Sequence, residues 1–286
     1  MSKPLEQRIR DAYDGLPKSE RRLADVVLEH RSRIAAYSAT ELAQQAGVSK
    51  ATAVRFFRRL GYLDFNAARR ESREAPSAGS PLSELAELAA SGILDGDFGR
   101  HLRQDVDNLT RTAERIAPDL LDRAIKLLVR AEKVWVLGFR NNYALALYAR
   151  GLLINVKPDV RLLPIGGFTL AEDLSSMTAR DAVLAFAFRR RLPLLRNALQ
   201  AIRSAGASVV QVTDQTATTA ARLSAITLRC HTRGASLFDS YVAALSITNY
   251  LCSAVALRTG RKGRDRLARI ETIHGILQDF GTSARR

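Results

Sequence analysis

Residues 38–60 read Ser38-Ala39-Thr40-Glu41-Leu42-Ala43-Gln44-Gln45-Ala46-Gly47-Val48-Ser49-Lys50-Ala51-Thr52-Ala53-Val54-Arg55-Phe56-Phe57-Arg58-Arg59-Leu60. Ser38 and Glu41 form a capping box, in which each side chain satisfies the other's backbone amide at the start of a helix. That helix turns Leu42, Ala43 and Ala46 inward. Gly47 ends it, because glycine enters the left-handed conformation without penalty and reverses the chain sharply. Val48 gives the turn an apolar residue, and Ser49 caps a second helix from Lys50 to Leu60. Ala53, Phe56, Phe57 and Leu60 are its inward positions, so Lys50, Thr52, Arg55, Arg58 and Arg59 face outward or sit at the rim. Two helices at a steep angle joined by a short glycine turn make a helix-turn-helix.

The second helix of such a motif reads base edges in the major groove with its N-terminal half. Lysine and arginine pair there with guanine O6 and N7, while hydroxyls fix phosphates. Lys50 and Arg55 are therefore assigned to bases, Ser49 and Thr52 to phosphate, and Arg58 and Arg59 to backbone charge. Ser38 and Ala51 complete the candidate DNA-contacting set. Over residues 49–70, Lys50, Arg55, Arg58, Arg59, Arg69 and Arg70 face one acid, Asp64. An ordinary basic hairpin would share single features of this stretch, whereas their conjunction points to double-stranded DNA.

The rest of the chain is compatible. It has 286 residues, 47% of them hydrophobic, enough for one large domain or two ordinary ones. A formal net charge of +15 draws polyanions, with nucleic acid and anionic membrane surfaces as the two candidates. The two cysteines, Cys230 and Cys252, have no metal-ligand spacing to the four histidines, so no structural metal and a reducing compartment are expected. The N-terminus has no apolar run of the signal-peptide kind. Leu237–Leu257 approaches the length of a membrane span but carries Asp239, Asn249 and several hydroxyls. A core helix from Phe238 to Leu257 is the better reading, and a cytoplasmic protein is expected.

Residues 72–83 are rich in Ser, Pro and Gly and read as a linker. Helical patterns follow to about Arg130, with Leu102, Val106, Leu109 and Ala113 on one face. From Lys133 the rhythm becomes apolar runs alternating with helices. The runs are Val134–Leu137, Val160–Leu163, Ala182–Phe188, Ser208–Thr213 and Ala225–Cys230, with helices at Tyr143–Asn155 and Leu192–Ala205 among them. That alternation predicts a mostly parallel five-stranded sheet flanked by helices.

Leu16-Pro17-Lys18-Ser19-Glu20-Arg21-Arg22-Leu23-Ala24-Asp25, then Ala39–Ala43, Gly47–Phe56 and Leu60-Gly61-Tyr62, resemble the N-terminal domain of RpiR-family regulators. The resemblance implies an all-α helix-turn-helix domain (residues 1–74), a linker with the start of connecting helices (75–98), and an α/β sugar isomerase (SIS) domain (99–286). The SIS domain would sense a sugar phosphate or related metabolite and carry the oligomer contacts.

In a parallel sheet, ligands sit beyond the carboxyl ends of the strands. The loops there are Gly138–Asn142, Phe188–Arg191, Thr213–Thr216 and His231–Ser236. Gly138 allows close backbone approach, and a helix starting near Asn142 directs free amides at a ligand. Arg140, Arg189, Arg190 and Arg191 add guanidiniums suited to phosphate or carboxylate. With Asn141, Asn142, Phe188, Thr213 and Asp214, they form the candidate effector site for an anionic small molecule. SIS domains that bind sugar phosphates resemble Gly-x-Gly-x-Ser and Ser-x-Ser-Gly-x-Thr in the first two loops. This chain has Gly138-Phe139-Arg140-Asn141-Asn142 and Ala187-Phe188-Arg189-Arg190-Arg191, which opens the effector to other acids.

No catalytic residue and no cofactor are assigned. Asp214 and His231 are the only candidate bases in the four loops, and neither has a partner arguable from sequence. A regulator acting as a homodimer or homotetramer on an inverted-repeat operator is the expectation. A SIS-fold isomerase and an effector-independent DNA-binding protein remain the alternatives.

Overall fold

The computed structural model describes residues 5–29, 34, 37–74, 85, 97–166, 169–188, 193–215 and 222–278. The described residues fall into two compact units, with the division between Val106 and Asp107; the loop Arg233–Ser240 is grouped with the first unit. Most of the expected linker, and Arg189, Arg190, Arg191 and Thr216, lie outside the described residues.

The first unit is helical. Helices α1 (Leu5–Ala12), α2 (Lys18–Glu29), α3 (Ala39–Gln45), α4 (Lys50–Arg59) and α5 (Phe65–Glu74) enclose one apolar core. Ile9, Leu23, Leu42, Ala53, Phe56 and Phe57 meet there, with the Phe56 and Phe57 rings edge to face at 5.0 Å. Both expected caps are present. Ser38 Oγ accepts from the Glu41 amide while Glu41 accepts from the Ser38 amide, and Ser49 Oγ accepts from the Thr52 amide. Gly47, at φ +60°, donates to Gln44 O while Val48 donates to Ala43 O. This paired closure satisfies the last carbonyls of α3 and turns the chain into α4.

Helix α6 (Phe98–Ala113) crosses the division, and helix α7 (Pro118–Arg130) leads into the sheet. The face of α6 that carries Leu102, Val106, Leu109 and Ala113 is only partly covered. Leu109 packs on the core, but Leu102, Val106 and Ala113 are exposed, and Asn108 and Thr112 are the buried residues of this helix.

Strands β1 (Val134–Gly138), β2 (Val160–Leu163), β3 (Ala182–Ala187), β4 (Ser208–Thr213) and β5 (Ile226–Arg229) form an all-parallel sheet in the order β2-β1-β3-β4-β5. Alternate residues feed two cores. Val134, Val136, Leu184, Phe186, Val210 and Val212 face one layer, built with α7, α8 (Asn142–Leu153) and α11 (Val242–Arg258). Trp135, Leu137, Val183, Ala185 and Val209 face the other, built with α9 (Leu170–Ser175) and α10 (Pro193–Ser204). Cover on both faces explains why the strands read as continuous apolar runs. Helix α12 (Gly260–Leu277) ends the described chain. Helix α11 starts at Val242 rather than Phe238, and Phe238 itself is exposed.

One buried charge joins these layers. Lys157 is 5% exposed, and its Nζ donates to the carbonyls of Leu128, Val129 and Ala131 at 3.0, 3.0 and 2.7 Å. It therefore caps the C-terminal end of α7, where unpaired carbonyls gather. No single helix is long and apolar enough to cross a membrane among the described residues.

Candidate functional site

The first site is the outer face of α4. Lys50, Ala51, Val54, Arg55 and Arg58 are all exposed, and their spacing puts them on one side of the helix. Three expected contacts are placed differently. Thr52 is buried rather than outward; its Oγ1 lies 3.0 Å from Ser49 Oγ and accepts from Arg55 Nη2 at 3.3 Å. It therefore holds the cap and the Arg55 guanidinium instead of presenting a free hydroxyl. Arg59 is tied at 2.8 Å to Glu20, which is 3% exposed, so its charge is spent within the helical unit. Ser38 is occupied by its capping box, which also holds the Glu41 carboxyl below its usual range, through the Ser38 backbone first and its side chain second.

Val54 was missed by the sequence reading. It sits three residues after Ala51 and four after Lys50 and is exposed, so the face alternates apolar and cationic groups. The spacing alone could have shown it. Thymine C5-methyl groups are matched by such apolar side chains, and guanine edges by such cations.

The second site lies at the carboxyl ends of the strands. In the order 2-1-3-4-5, the connection leaving β1 runs to one side and that leaving β3 to the other, so the carboxyl ends of β1 and β3 are the switch point at which parallel sheets bind ligands. Gly138 pairs with Phe186 and Ala187 with Thr213, which aligns the strand ends. Gly138 serves the turn itself: a Cβ there would stand 2.3 Å from Asn142 O. The amides expected to face a ligand are engaged in the chain. Those of Asn142, Tyr143 and Ala144 donate to the carbonyls of Phe139, Arg140 and Asn141 at 3.1, 2.9 and 3.3 Å, in a tight first turn.

Arg140 is exposed just beyond the end of β1 with φ +56°, a left-handed backbone in a residue that carries a Cβ. Such strain costs roughly 1–2 kcal/mol, and it concentrates at functional positions. Asn141 is exposed beside it, and Asn142 Oδ1 is buried without a hydrogen-bond partner. The other expected contacts are in the core. Phe188 is 3% exposed and packs on the Tyr241 ring at 5.2 Å. Thr213 is fully buried and donates its hydroxyl to Ala187 O at 2.5 Å. Asp214 is buried close enough to Cys230 for its charge to add to burial, the main cause, in pushing the Cys230 thiol up. His231, also buried, donates its backbone amide to Thr112 Oγ1 at 2.9 Å. Among the described residues, no three metal-ligating side chains come together.

The Arg140 strain is directly testable. Replacing Arg140 by glycine relieves the left-handed penalty and replacing it by alanine does not. Arg140→Gly is therefore expected to be about 1 kcal/mol more stable than Arg140→Ala in urea unfolding. Equal stability would show that the left-handed backbone is absent in solution.

Two family models match the chain. The helix-turn-helix domain of the rpiR family covers residues 3–73, and the SIS domain covers residues 127–254. Among curated relatives, the bifunctional protein glk of Paraburkholderia xenovorans is 26% identical over 74% of this chain and 33% of its own length. The HTH-type transcriptional regulator HexR of Pseudomonas aeruginosa is 25% identical over 55% of this chain and 57% of its own. The chain thus spans a third to somewhat over half of these relatives. Among solved structures, the Vibrio vulnificus NanR protein, complexed with ManNAc-6P, has a TM-score of 0.58 at 20% identity, covering 96% of this chain and 98% of that one. At that identity the likeness speaks to the fold. The chain thus joins an rpiR-family helix-turn-helix domain to a SIS domain.

Proposed function

We propose that the protein is a DNA-binding transcription regulator whose SIS domain senses an anionic small metabolite and adjusts operator affinity. The observation that carries this reading is the exposed face of α4, where Lys50, Arg55 and Arg58 flank Ala51 and Val54. Lys50 and Arg55 contact bases, Arg58 contacts backbone charge, and Ser49 with the first amides of α4 contacts phosphate. Arg59 adds only long-range charge.

The effector site is at the carboxyl ends of β1 and β3, with Arg140, Asn141 and Asn142 as its described polar groups. NanR, a structural neighbour, was solved with a sugar phosphate, which supports a sugar phosphate or related acid here. The protein works as a homodimer or homotetramer on an inverted repeat, because one recognition helix covers too few base pairs. In this reading the chain is a regulator and no catalytic base is assigned; Asp214 and His231, the two candidates, are both buried. A cytoplasmic location accompanies this role.

Selection of bound sequences from random duplex DNA by the full chain tests the reading. A palindromic consensus that survives competitor DNA is expected. Uniform binding that collapses as salt rises would make the chain a non-specific DNA binder. Turnover of a sugar phosphate by the same preparation would establish the isomerase instead.

A further inference from the structure

The surplus of positive charge does not lie in the helix-turn-helix part of the chain. Residues 1–98 contain 15 Lys and Arg against 14 Asp and Glu, whereas residues 99–286 contain 29 against 15. Almost all of the net +15 therefore belongs to the α/β part of the sequence. The recognition face of α4 accounts for little of the attraction to polyanions that such a surplus creates.

Within the α/β unit some of that charge is gathered on one surface. Arg123, Lys126 and Arg130 are exposed on α7 at spacings of three and four, which puts them on one side of the helix. The first ten residues of α12, 260–269, hold five cations and one acid, Asp265. Of these cations Arg261, Lys262, Arg264 and Arg269 are exposed. The two rows are joined through Asp122 of α7, which meets Lys126 at 2.7 Å and Arg258, two residues before α12, at 2.6 Å. Those bonds, that of Lys126 first, hold the Asp122 carboxyl below its usual range. One carboxylate shared by two cations leaves the junction positive. Arg123, Arg130, Lys262, Arg264 and Arg269 make no ion pair among the described residues.

A cation is disfavoured at the start of a helix, whose dipole end is itself positive. Helix α12 has Arg261, Lys262 and Arg264 within its first five residues and no acid in its first turn. An ordinary solvated face pairs such charges along the helix, as Arg261 and Asp265 do here at 3.6 Å. The remaining repulsion is relieved by an anion supplied from outside the chain.

We infer that the cationic surface of α7 and the first turns of α12 lies against the phosphate backbone of double-stranded DNA, as a contact additional to α4. Each row spans about 10–12 Å, the rise of roughly three phosphates along one strand at about 3.4 Å each. Arginine predominates in both rows, and its guanidinium fork matches phosphate oxygens. A membrane also offers phosphates, but holding one takes an apolar face to insert. No large apolar side chain of α7 is exposed, and Leu257 and Leu267 are the exposed ones around the start of α12. The contact rests on the DNA-binding part of the proposed function, since α4 brings a duplex to the chain and raises its concentration at a second site. It reads no bases and strengthens binding to all sequences alike.

The test is the binding of the full chain to a random-sequence duplex, titrated from about 0.05 to 0.4 M salt. Arg123→Gln with Arg130→Gln neutralises the α7 row, and Lys262→Gln, Arg264→Gln with Arg269→Gln neutralises the α12 row. Arg203→Gln with Arg222→Gln removes charge from exposed positions on the other layer of the sheet. Thermal melts check that every variant folds. The slope of log affinity against log salt is expected to fall by about 2 for the α7 pair and about 3 for the α12 triple, at ~0.9 per phosphate contact. Affinity near 0.1 M salt should fall roughly tenfold or more in both, and the Arg203 and Arg222 pair should change the slope by less than about 0.5. Slopes unchanged in the α7 and α12 sets overturn the assignment. So do losses in proportion to charge in all three sets, which would reflect net charge alone. Unchanged DNA slopes with lost sedimentation on phosphatidylserine vesicles would make the face a membrane surface, which also overturns it. A chain that selects no DNA sequence would undo the regulator reading while leaving these slopes standing.

Discussion

Replacing Lys157 by alanine is expected to destabilise the α/β unit by about 3–4 kcal/mol and to lower its melting temperature by roughly 10 °C. Three carbonyls, those of Leu128, Val129 and Ala131, depend on one ammonium group that is almost wholly buried. Each carbonyl left without a donor costs about 1–3 kcal/mol, less where water reaches it. Lys157→Met keeps most of the stem and removes only the donor, so about two thirds of the loss should remain. Burial lowers the Lys157 pKa below its ordinary 10.5. Between the folded-state value and 10.5, the unfolded chain binds more protons than the folded one, so rising pH favours the fold. The stability gap between wild type and Lys157→Met is therefore expected to widen from pH 7 toward pH 10 in urea melts. A gap that narrows would show that the native state prefers the charged amine.

Lys157 also marks the limit of what local sequence carries. Nothing around Val156-Lys157-Pro158 distinguishes it from a surface lysine, because its partners lie 26–29 residues earlier. Arg59 is similar: its spacing on α4 reads as outward, and only the approach of Glu20 from α2 shows that the charge is engaged. The helix-turn-helix was legible for the converse reason. Its capping box, its glycine turn and its second cap are interactions within five residues, and each has its own residue signature. The strands were legible as apolar runs to within a residue or two, yet their order follows from which helix covers which face and leaves no local trace.

The candidate effector site was legible in the position of its loops and less so in its chemistry. Strand ends are where ligands gather in a parallel sheet, and Arg140 and Asn141 are exposed just beyond the end of β1. The sequence reading assumed that the first amides of α8 are free, whereas the loop folds back and engages them within its own tight turn. Thr213 likewise offers a hydroxyl in sequence, but that hydroxyl bridges to the neighbouring strand at Ala187. With these amides and the Thr213 hydroxyl committed, an anion bound beyond β1 would depend more heavily on the Arg140 guanidinium than one in a hydroxyl-lined cradle.

Arg55→Ala is expected to weaken binding to the selected operator by about 2 kcal/mol, or roughly 30-fold, with a much smaller loss on unrelated DNA. A guanidinium gains discrimination when it is held in place before the base arrives, since less side-chain entropy is then lost on binding. Arg55 has such a support: Nη2 meets Thr52 Oγ1, and that hydroxyl is fixed by Ser49 at the helix cap. Thr52→Val removes the support without touching DNA and should reproduce part of the loss. Arg55→Lys keeps the charge but loses the fork, so non-specific binding should persist while base preference relaxes. Arg58→Ala should behave differently, weakening all sequences alike and reducing the salt slope by about 0.9, as the loss of one phosphate contact requires. Titration of operator and random duplexes at several salt concentrations separates these outcomes. If Arg55→Ala costs the same factor on every sequence, Arg55 is a phosphate ligand, and base reading falls to Lys50 together with the apolar pair Ala51 and Val54.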